Sequence, residues 1–246
     1  MSTKPNYAKK YGQVFLNDPN IAKIEVNALS LEKTDTVLEI GPGEGILTDL
    51  LLKSGCRVIA VEADHRFVGL LNARYSREIC SGQLQVIKEN FLDLPGMKVE
   101  KIIGNIPYMI SSEIIFALYR HEFSRAVLMT QKEFAVRMIA RAGDKEYSRL
   151  SVSTSLRYSV KIVHKVSRQS FRPVPKVDSS IILLTRKNEY PEEEILRIDE
   201  FTKKLFSNKR KMIRSILADC PEKFMERRPD SLSIADIIEI SRTASL

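Results

Sequence analysis

Asn105, Ile106, Pro107 and Tyr108 form an Asn-Ile-Pro-Tyr tetrapeptide 60 positions after the end of a glycine-rich stretch, Glu39-Ile40-Gly41-Pro42-Gly43-Glu44-Gly45, and each segment asks for its own chemistry. Glycines at 41, 43 and 45 let the backbone approach a ligand closely and present amide donors where a helix begins. Such a turn alone is weak evidence. It gains weight from Glu62, which ends the next strand, where a carboxylate can accept both hydroxyls of a ribose. NAD enzymes use the same logic with a GxGxxG turn. The order Glu-Ile-Gly-Pro-Gly, with an acidic residue ending the first strand, suits S-adenosylmethionine instead.

The tetrapeptide supplies what a planar exocyclic amine such as adenine N6 lacks. The lone pair of that nitrogen is delocalised into the ring, so it is a poor nucleophile until it becomes tetrahedral. Acceptors aimed at its two hydrogens favour that change. The Asn105 side-chain oxygen and the Ile106 carbonyl can serve, while Pro107 fixes the turn and Tyr108 stacks on the ring. No general base is required, because a nitrogen that has become cationic loses its proton readily. This geometry is out of reach inside a stacked helix, so the base must be flipped out or presented by a loop. Phe171, at the head of Phe171-Arg172-Pro173-Val174-Pro175-Lys176-Val177-Asp178-Ser179, is the candidate for a second aromatic wall, with loop packing as its alternative role.

Several elements must position these groups. Thr36–Ile40 reads as a short buried strand, Ile46–Ser54 carries apolar residues at helical spacing, and 57–61 is the next strand. Strand, glycine turn, helix and strand open a doubly wound α/β sheet whose ligands sit at the carboxyl ends of the strands. Further strands are expected at 84–87, 101–104, 126–130, 160–166 and 180–185, with helices between most of them, which predicts a mostly parallel, Rossmann-like sheet. The polar, proline-containing stretch 187–194 suggests a boundary. The expected division is a methyltransferase-type domain with an N-terminal arm over 1–187 and a small all-helical, RNA-binding domain over 188–246, with helical patterns at 195–217 and 234–240.

A chain of 246 residues can bury a full core, and 39 Lys and Arg against 31 Asp and Glu give a net charge of +8 that favours polyanionic partners. Between Phe201 and Ala218, Lys203, Lys204, Lys209, Arg210, Lys211 and Arg214 occur with no acidic residue. On a helix, 203, 210 and 214 share a face and could track phosphates, or form a solvated face. Tyr7, Lys9, Lys10 and Tyr11 could close over cofactor or RNA, or form a disordered tail. Cys56, Cys80 and Cys220 lack a CxxC pair and read as buried reduced thiols, and His65, His121 and His164 lack ligand spacing, so no metal is expected. No apolar run approaches a membrane span, and the expectation is a cytoplasmic monomer without a membrane partner.

Taken together these segments resemble the KsgA-type rRNA adenine dimethyltransferases over nearly the whole chain. Gly12-Gln13-Val14-Phe15-Leu16 is similar to that family's GQxFL opening, 39–45 to its cofactor loop, 105–108 to its NLPY motif, 171–179 to its FxPxPKVDS segment and 208–214 to its RRK helix. Ile110-Ser111-Ser112, 131–135 and 147–152 look most like the archaeal branch. The resemblance implies S-adenosylmethionine contacts at Gln13, Val14, Leu16, Gly41, Gly43, Glu62, Asn90 and Asn105, and RNA contacts at Lys209, Arg210, Lys211 and Arg214. It also implies dimethylation at N6 of two adjacent adenosines in the 3′-terminal hairpin loop of small-subunit (16S) rRNA, within an assembling small ribosomal subunit. Val14 stands where the family often has Asn or His, which leaves only backbone contact there. Asn90 replaces the usual Asp and can still accept from the cofactor's adenine amine with less charge assistance. Ile106 replaces Leu, and its carbonyl is unaffected. Two rivals remain: a large-subunit rRNA adenine methyltransferase of the antibiotic-resistance type, disfavoured by the C-terminal half, and an RNA-binding assembly or transcription factor without turnover, disfavoured by the intact tetrapeptide.

Overall fold

The continuous apolar runs at the centre of the chain become strands covered on both faces, as a parallel sheet requires. The computed structural model of the protein describes residues 14–243. Among them the strands are β1 (Phe15–Leu16), β2 (Thr36–Ile40), β3 (Arg57–Glu62), β4 (Leu84–Lys88), β5 (Lys101–Asn105), β6 (Arg125–Gln131), β7 (Tyr158–Val166), β8 (Phe171–Arg172) and β9 (Ser179–Arg186). Seven of these form one sheet in the order β4-β3-β2-β5-β6-β9-β7. β2 pairs in parallel with both β3 and β5, β3 with β4 and β5 with β6, and β9 runs antiparallel to β6. The strand order therefore reverses between β2 and β5, and the carboxyl ends of these two strands, at Ile40 and Asn105, mark the switch point where open α/β sheets bind ligands. The predicted doubly wound, mostly parallel sheet is the one observed.

Helices α1 (Pro19–Ala28), α2 (Ile46–Ser54), α3 (His65–Arg74), α4 (Ser76–Cys80) and α5 (Ser111–Leu118) accompany this sheet. Asp18 caps α1 by accepting from the Asn20 amide, and Asp64 caps α3 from the Arg66 amide, each satisfying a donor that a helix start leaves open. α2 lies between two glycines in the left-handed region, Gly45 at φ 86° and Gly55 at φ 85°. A side chain at 45 is doubly excluded, since its Cβ would come 2.5 Å from the Tyr75 hydroxyl oxygen. Gly104 is needed for another reason. On β5 beside β2, a Cβ there would sit 2.7 Å from the Ile40 carbonyl oxygen, so the close strand approach at the switch point depends on glycine.

The chain divides into two compact units, one of residues 1–132 and 161–185 and one of 133–160 and 186–246. The sequence reading drew one division, at 187/188, whereas the chain crosses between the two units at 132/133, 160/161 and 185/186. The second unit is helical, with α6 (Lys132–Ile139) leading into it, followed by α7 (Arg149–Arg157), α8 (Glu192–Ser207), α9 (Glu222–Met225) and α10 (Ile234–Thr243). Its core gathers Val152 and Leu156 from α7, Ile198, Phe201 and Leu205 from α8, and Ile237 and Ile240 from α10. The buried Arg157 guanidinium joins α7 to α8 by pairing with Asp199, and reaches Glu192 at 3.0 Å.

Candidate active site

A cavity of about 1180 Å³ opens at the switch point. It lies wholly within the first unit, and Val14, Leu16, Gly41, Gly43, Glu62, Asn90, Asn105, Ile106, Pro107, Tyr108 and Phe171 all line it. Segments distant in sequence converge there through backbone pairing. β1 runs antiparallel to β8, with Leu16 opposite Phe171, and the Asn17 amide donates to the Ser170 carbonyl at 2.8 Å. Gln13, Tyr7, Lys9, Lys10 and Tyr11 lie outside the described residues.

On the glycine side, Gly41, Gly43 and Gly45 have φ of 65°, 54° and 86°, and a Cβ at Gly41 would meet nothing within 4 Å, so the backbone there is open to a ligand. Glu62 Oε2 accepts from the Gly43 amide at 3.1 Å and Oε1 from the Asp64 amide at 2.9 Å, which fixes the carboxylate at the mouth of β3. Each oxygen keeps a second lone pair for a hydroxyl donor. Burial pushes the Glu62 carboxyl up, and the two backbone donors oppose that shift. Asn90 Oδ1 accepts from the Leu92 amide at 3.1 Å, so the turn after β4 is braced by the side chain predicted to meet an adenine. Open glycine backbone, a fixed carboxylate and a turn acceptor around one cavity fit an adenosyl donor.

On the opposite side, Pro107 holds φ at −59° and directs the chain into a 3₁₀ turn over Tyr108–Ile110. The Ile110 amide donates to the Pro107 carbonyl at 3.2 Å, and Ser111 Oγ bridges the carbonyls of Pro107 and Tyr108 at 3.2 Å each. Tyr108 is fixed at its far end as well, its hydroxyl 2.6 Å from Ser179 Oγ. Phe171 borders the cavity but is only 3% exposed and belongs to the core with Leu16.

A family model described as ribosomal RNA adenine dimethylase matches residues 5–242. The chain belongs to this family. It is 41% identical over 215 residues to a "Probable ribosomal RNA small subunit methyltransferase A" of Thermococcus gammatolerans, covering 87% of this chain and 74% of that protein. Among solved structures it is similar to a dimethyladenosine transferase from Plasmodium falciparum, at 30% identity and TM-score 0.79 over 94% of this chain and 100% of the other. It is also similar to the 23S rRNA methyltransferase ErmE, at 30% identity and TM-score 0.71 over 93% of this chain and 100% of the other. The protein is thus an rRNA adenine dimethyltransferase, and the Rossmann-like fold with its helical second unit is the fold of the family.

The dimethylase site also contains residues that sequence reasoning missed. Phe91 lines the cavity and stacks on His121, with centroids 5.1 Å apart and an interplanar angle of 17°. Burial lowers the His121 pKa to about 4, so the imidazole is a neutral packing surface. The Phe15 ring meets Phe67 edge-on at 5.5 Å and would stand 3.4 Å from a Cβ at Gly43. The Arg66 guanidinium beside Asp64 holds that carboxyl at about 2. Behind the cavity lie two buried carboxyls: Glu39, which the sequence placed at the end of the first strand, and Glu25, which left no signal in spacing or composition. Glu39 takes a hydrogen bond from Thr48 Oγ at 2.7 Å, and burial pushes it up to about 8. Glu25, 0% exposed on α1, faces Asn105. With the amide nitrogen of Asn105 turned toward α1, Nδ2 donates to Glu25 Oε1 at 2.8 Å and Oε2 at 3.2 Å, whereas the opposite orientation would set oxygen against oxygen.

The basic segment is built differently from the sequence expectation. α8 stops at Ser207, and the chain turns through 208–212 into a 3₁₀ turn at Ile213–Ser215, so 203, 210 and 214 do not share one helix face. The physical reason is tertiary. Lys209 Nζ donates to the carbonyls of Lys145 at 3.1 Å and Tyr147 at 2.8 Å, and the Ile213 amide donates to the Arg227 carbonyl at 2.9 Å. Arg214 pairs with Glu226, while Arg210 and Lys211 are exposed. Among the described residues, no group of His, Cys, Asp and Glu is arranged to hold a metal ion, and no helix is long and apolar enough to cross a membrane.

Proposed function

We propose that the protein uses S-adenosylmethionine to dimethylate N6 of two adjacent adenosines in the 3′-terminal hairpin loop of small-subunit rRNA. It would do so as a cytoplasmic monomer acting on an assembling subunit. The observation that carries the reading is the single cavity that has the glycine loop and Glu62 on one side and Asn105 to Tyr108 on the other. S-adenosylmethionine supplies an electrophilic methyl group. The Gly41 and Gly43 backbone with Glu62 holds the donor, supported by contacts at Gln13, Val14, Leu16 and Asn90. The Asn105 Oδ1 and Ile106 carbonyl accept the amine hydrogens as N6 becomes tetrahedral, Pro107 keeps these acceptors in register, and the Tyr108 ring stacks on the base. Phe171, almost fully buried, gives the cavity a second aromatic boundary besides Tyr108. In the region 188–246, Arg210 and Lys211 are the cations proposed to meet phosphate, with Lys209 and Arg214 shaping the turn that presents them.

The choice of small-subunit RNA rests on the archaeal relatives, which are 35–41% identical and carry small-subunit names. ErmE is the reason to test the alternative. Purified small-subunit particles and large-subunit rRNA are incubated in parallel with protein and methyl-labelled donor. Label in the small-subunit rRNA is the expected result, and label confined to the large-subunit rRNA overturns the substrate assignment.

A further inference from the structure

Glu25 takes no part in the chemistry proposed above, yet it is an expensive residue. Its carboxyl is completely buried, and desolvation pushes its pKa well above the ordinary carboxylate range, opposed by the hydrogen bond from Asn105 and reinforced by the nearby charge of Glu39. An apolar side chain on this face of α1 would cost nothing of the kind. What faces the carboxyl is the amide of Asn105, with both oxygens within hydrogen-bond distance of Nδ2. Asn105 lines the cavity and Glu25 does not, so the two groups are stacked outward from the core.

A primary amide can lie in either of two orientations related by a half-turn, and these differ chemically. One offers an acceptor to the cavity and the other two donors. An adenine amine needs an acceptor. We propose that Glu25 is a positioning residue: by taking the Asn105 Nδ2 hydrogens it locks Oδ1 toward the cavity, an inference that rests on the role proposed for Asn105. A carboxyl oxygen can accept from Nδ2 whether the group is ionised or neutral, so the lock survives either state. In the ionised state it also polarises the amide and makes Oδ1 a stronger acceptor.

The test is steady-state methyl transfer with Glu25→Leu and Glu25→Gln, each accompanied by donor titration and thermal unfolding. Leucine removes the acceptor and the buried acid together. For this variant kcat should fall by about 10- to 100-fold with KM for the donor within about two-fold of wild type, as expected when an acceptor is misoriented and binding is spared, and Tm should hold or rise. Glutamine can still present an oxygen to Nδ2, and it should keep kcat within about five-fold of wild type. On an Asn105→Ala background, Glu25→Leu should cause no further loss, because the group it orients is gone. If Glu25→Leu does not fold, Glu25→Met makes the same measurement with a linear side chain. Wild-type kcat in Glu25→Leu or Glu25→Met overturns the inference, as does an equal fall in kcat and Tm in the Leu and Gln variants. Asn105→Ala is run alongside. If that variant turns over normally, the mechanism proposed for the tetrapeptide has failed, whereas a dead Asn105→Ala beside a fully active Glu25→Leu sinks only the role of Glu25.

Discussion

The Tyr108 hydroxyl stands 2.6 Å from Ser179 Oγ, tying the tetrapeptide to the first residue of β9 and so to the sequence motif that begins at Phe171. Burial pushes the Tyr108 pKa up, with Ser179 opposing, so the phenol stays neutral near neutral pH and either hydroxyl can donate in this bond. The ring that is to stack on a base is thereby held at both ends, by Pro107 through the backbone and by Ser179 through the hydroxyl. Tyr108→Phe and Ser179→Ala each remove one hydrogen bond worth about 1 kcal/mol and should lower kcat by about 2- to 10-fold. Tyr108→Ala also removes the stacking face and should cost about 100-fold or more. Equal kcat values for Tyr108→Phe and Tyr108→Ala in methyl-transfer assays would exclude a stacking role.

Gly104→Ala tests the switch point itself. The added Cβ would lie 2.7 Å from the Ile40 carbonyl oxygen and 2.9 Å from its Cβ, rigid neighbours on a central strand. Separating β2 from β5 should lower stability by about 1–3 kcal/mol and disturb the cavity they flank. Urea unfolding measures the first effect and donor titration the second. An unchanged midpoint with unchanged donor affinity would mean that the close approach is dispensable.

Glu39 gives a pH dependence of definite sign. Its ordinary pKa is 4.5 and burial raises it to about 8 in the folded chain, so the folded protein binds this proton more tightly than the unfolded one. The contribution is fully present below about pH 4.5 and is lost as pH rises toward about 8. Between those limits, wild type should lose stability relative to Glu39→Gln by an amount on the order of a few kcal/mol. Denaturant titrations at about pH 5 and about pH 8 supply the comparison. A stability difference between the two proteins that does not change with pH would contradict the buried, protonated state.

The basic residues after α8 separate into two groups. Lys209 donates to the carbonyls of Lys145 and Tyr147, so Lys209→Ala should lower the Tm of the protein and leave the salt dependence of RNA binding nearly unchanged. Arg210 and Lys211 are exposed, and Arg210→Ala and Lys211→Ala should each reduce the salt slope by about one phosphate contact without a change in Tm. Filter binding over a range of salt concentrations with thermal unfolding makes the assignment. A flattened slope in Lys209→Ala at unchanged Tm would return that residue to the phosphate track.

Period and turn chemistry made most of the first unit legible. The expected strands at 101–104, 126–130 and 180–185 appear within one residue at each end, because apolar runs bounded by turns specify buried strands. The paired two-residue strands β1 and β8 were not legible, since nothing local announces that Leu16 will lie opposite Phe171. Length misled at 195–217. The amphipathic pattern runs on, but the carbonyls of Lys145 and Tyr147 capture Lys209 and the helix ends at Ser207. The cavity brings together Gly41, Glu62, Asn105 and Tyr108, which the sequence singled out by their chemistry, with Phe91, which it did not. Glu25 was not legible, because a buried partner is defined by a long-range contact and leaves no periodic trace; Glu39 and Ser179 stood inside motifs, but their contacts with Thr48 and Tyr108 could not be read there.

The central claim is that the Asn105 side of the cavity delivers methyl groups to adenine N6. Mass spectrometry of nucleosides from undermethylated small-subunit rRNA, after incubation with S-adenosylmethionine and either wild type or Asn105→Ala, tests it most directly. The account predicts N6,N6-dimethyladenosine at adjacent positions with wild type and a loss of at least about 1000-fold in rate with Asn105→Ala, while RNA binding by the variant is largely retained. Dimethyladenosine formed at the wild-type rate by Asn105→Ala, or a methyl group found on an atom other than N6, would contradict it.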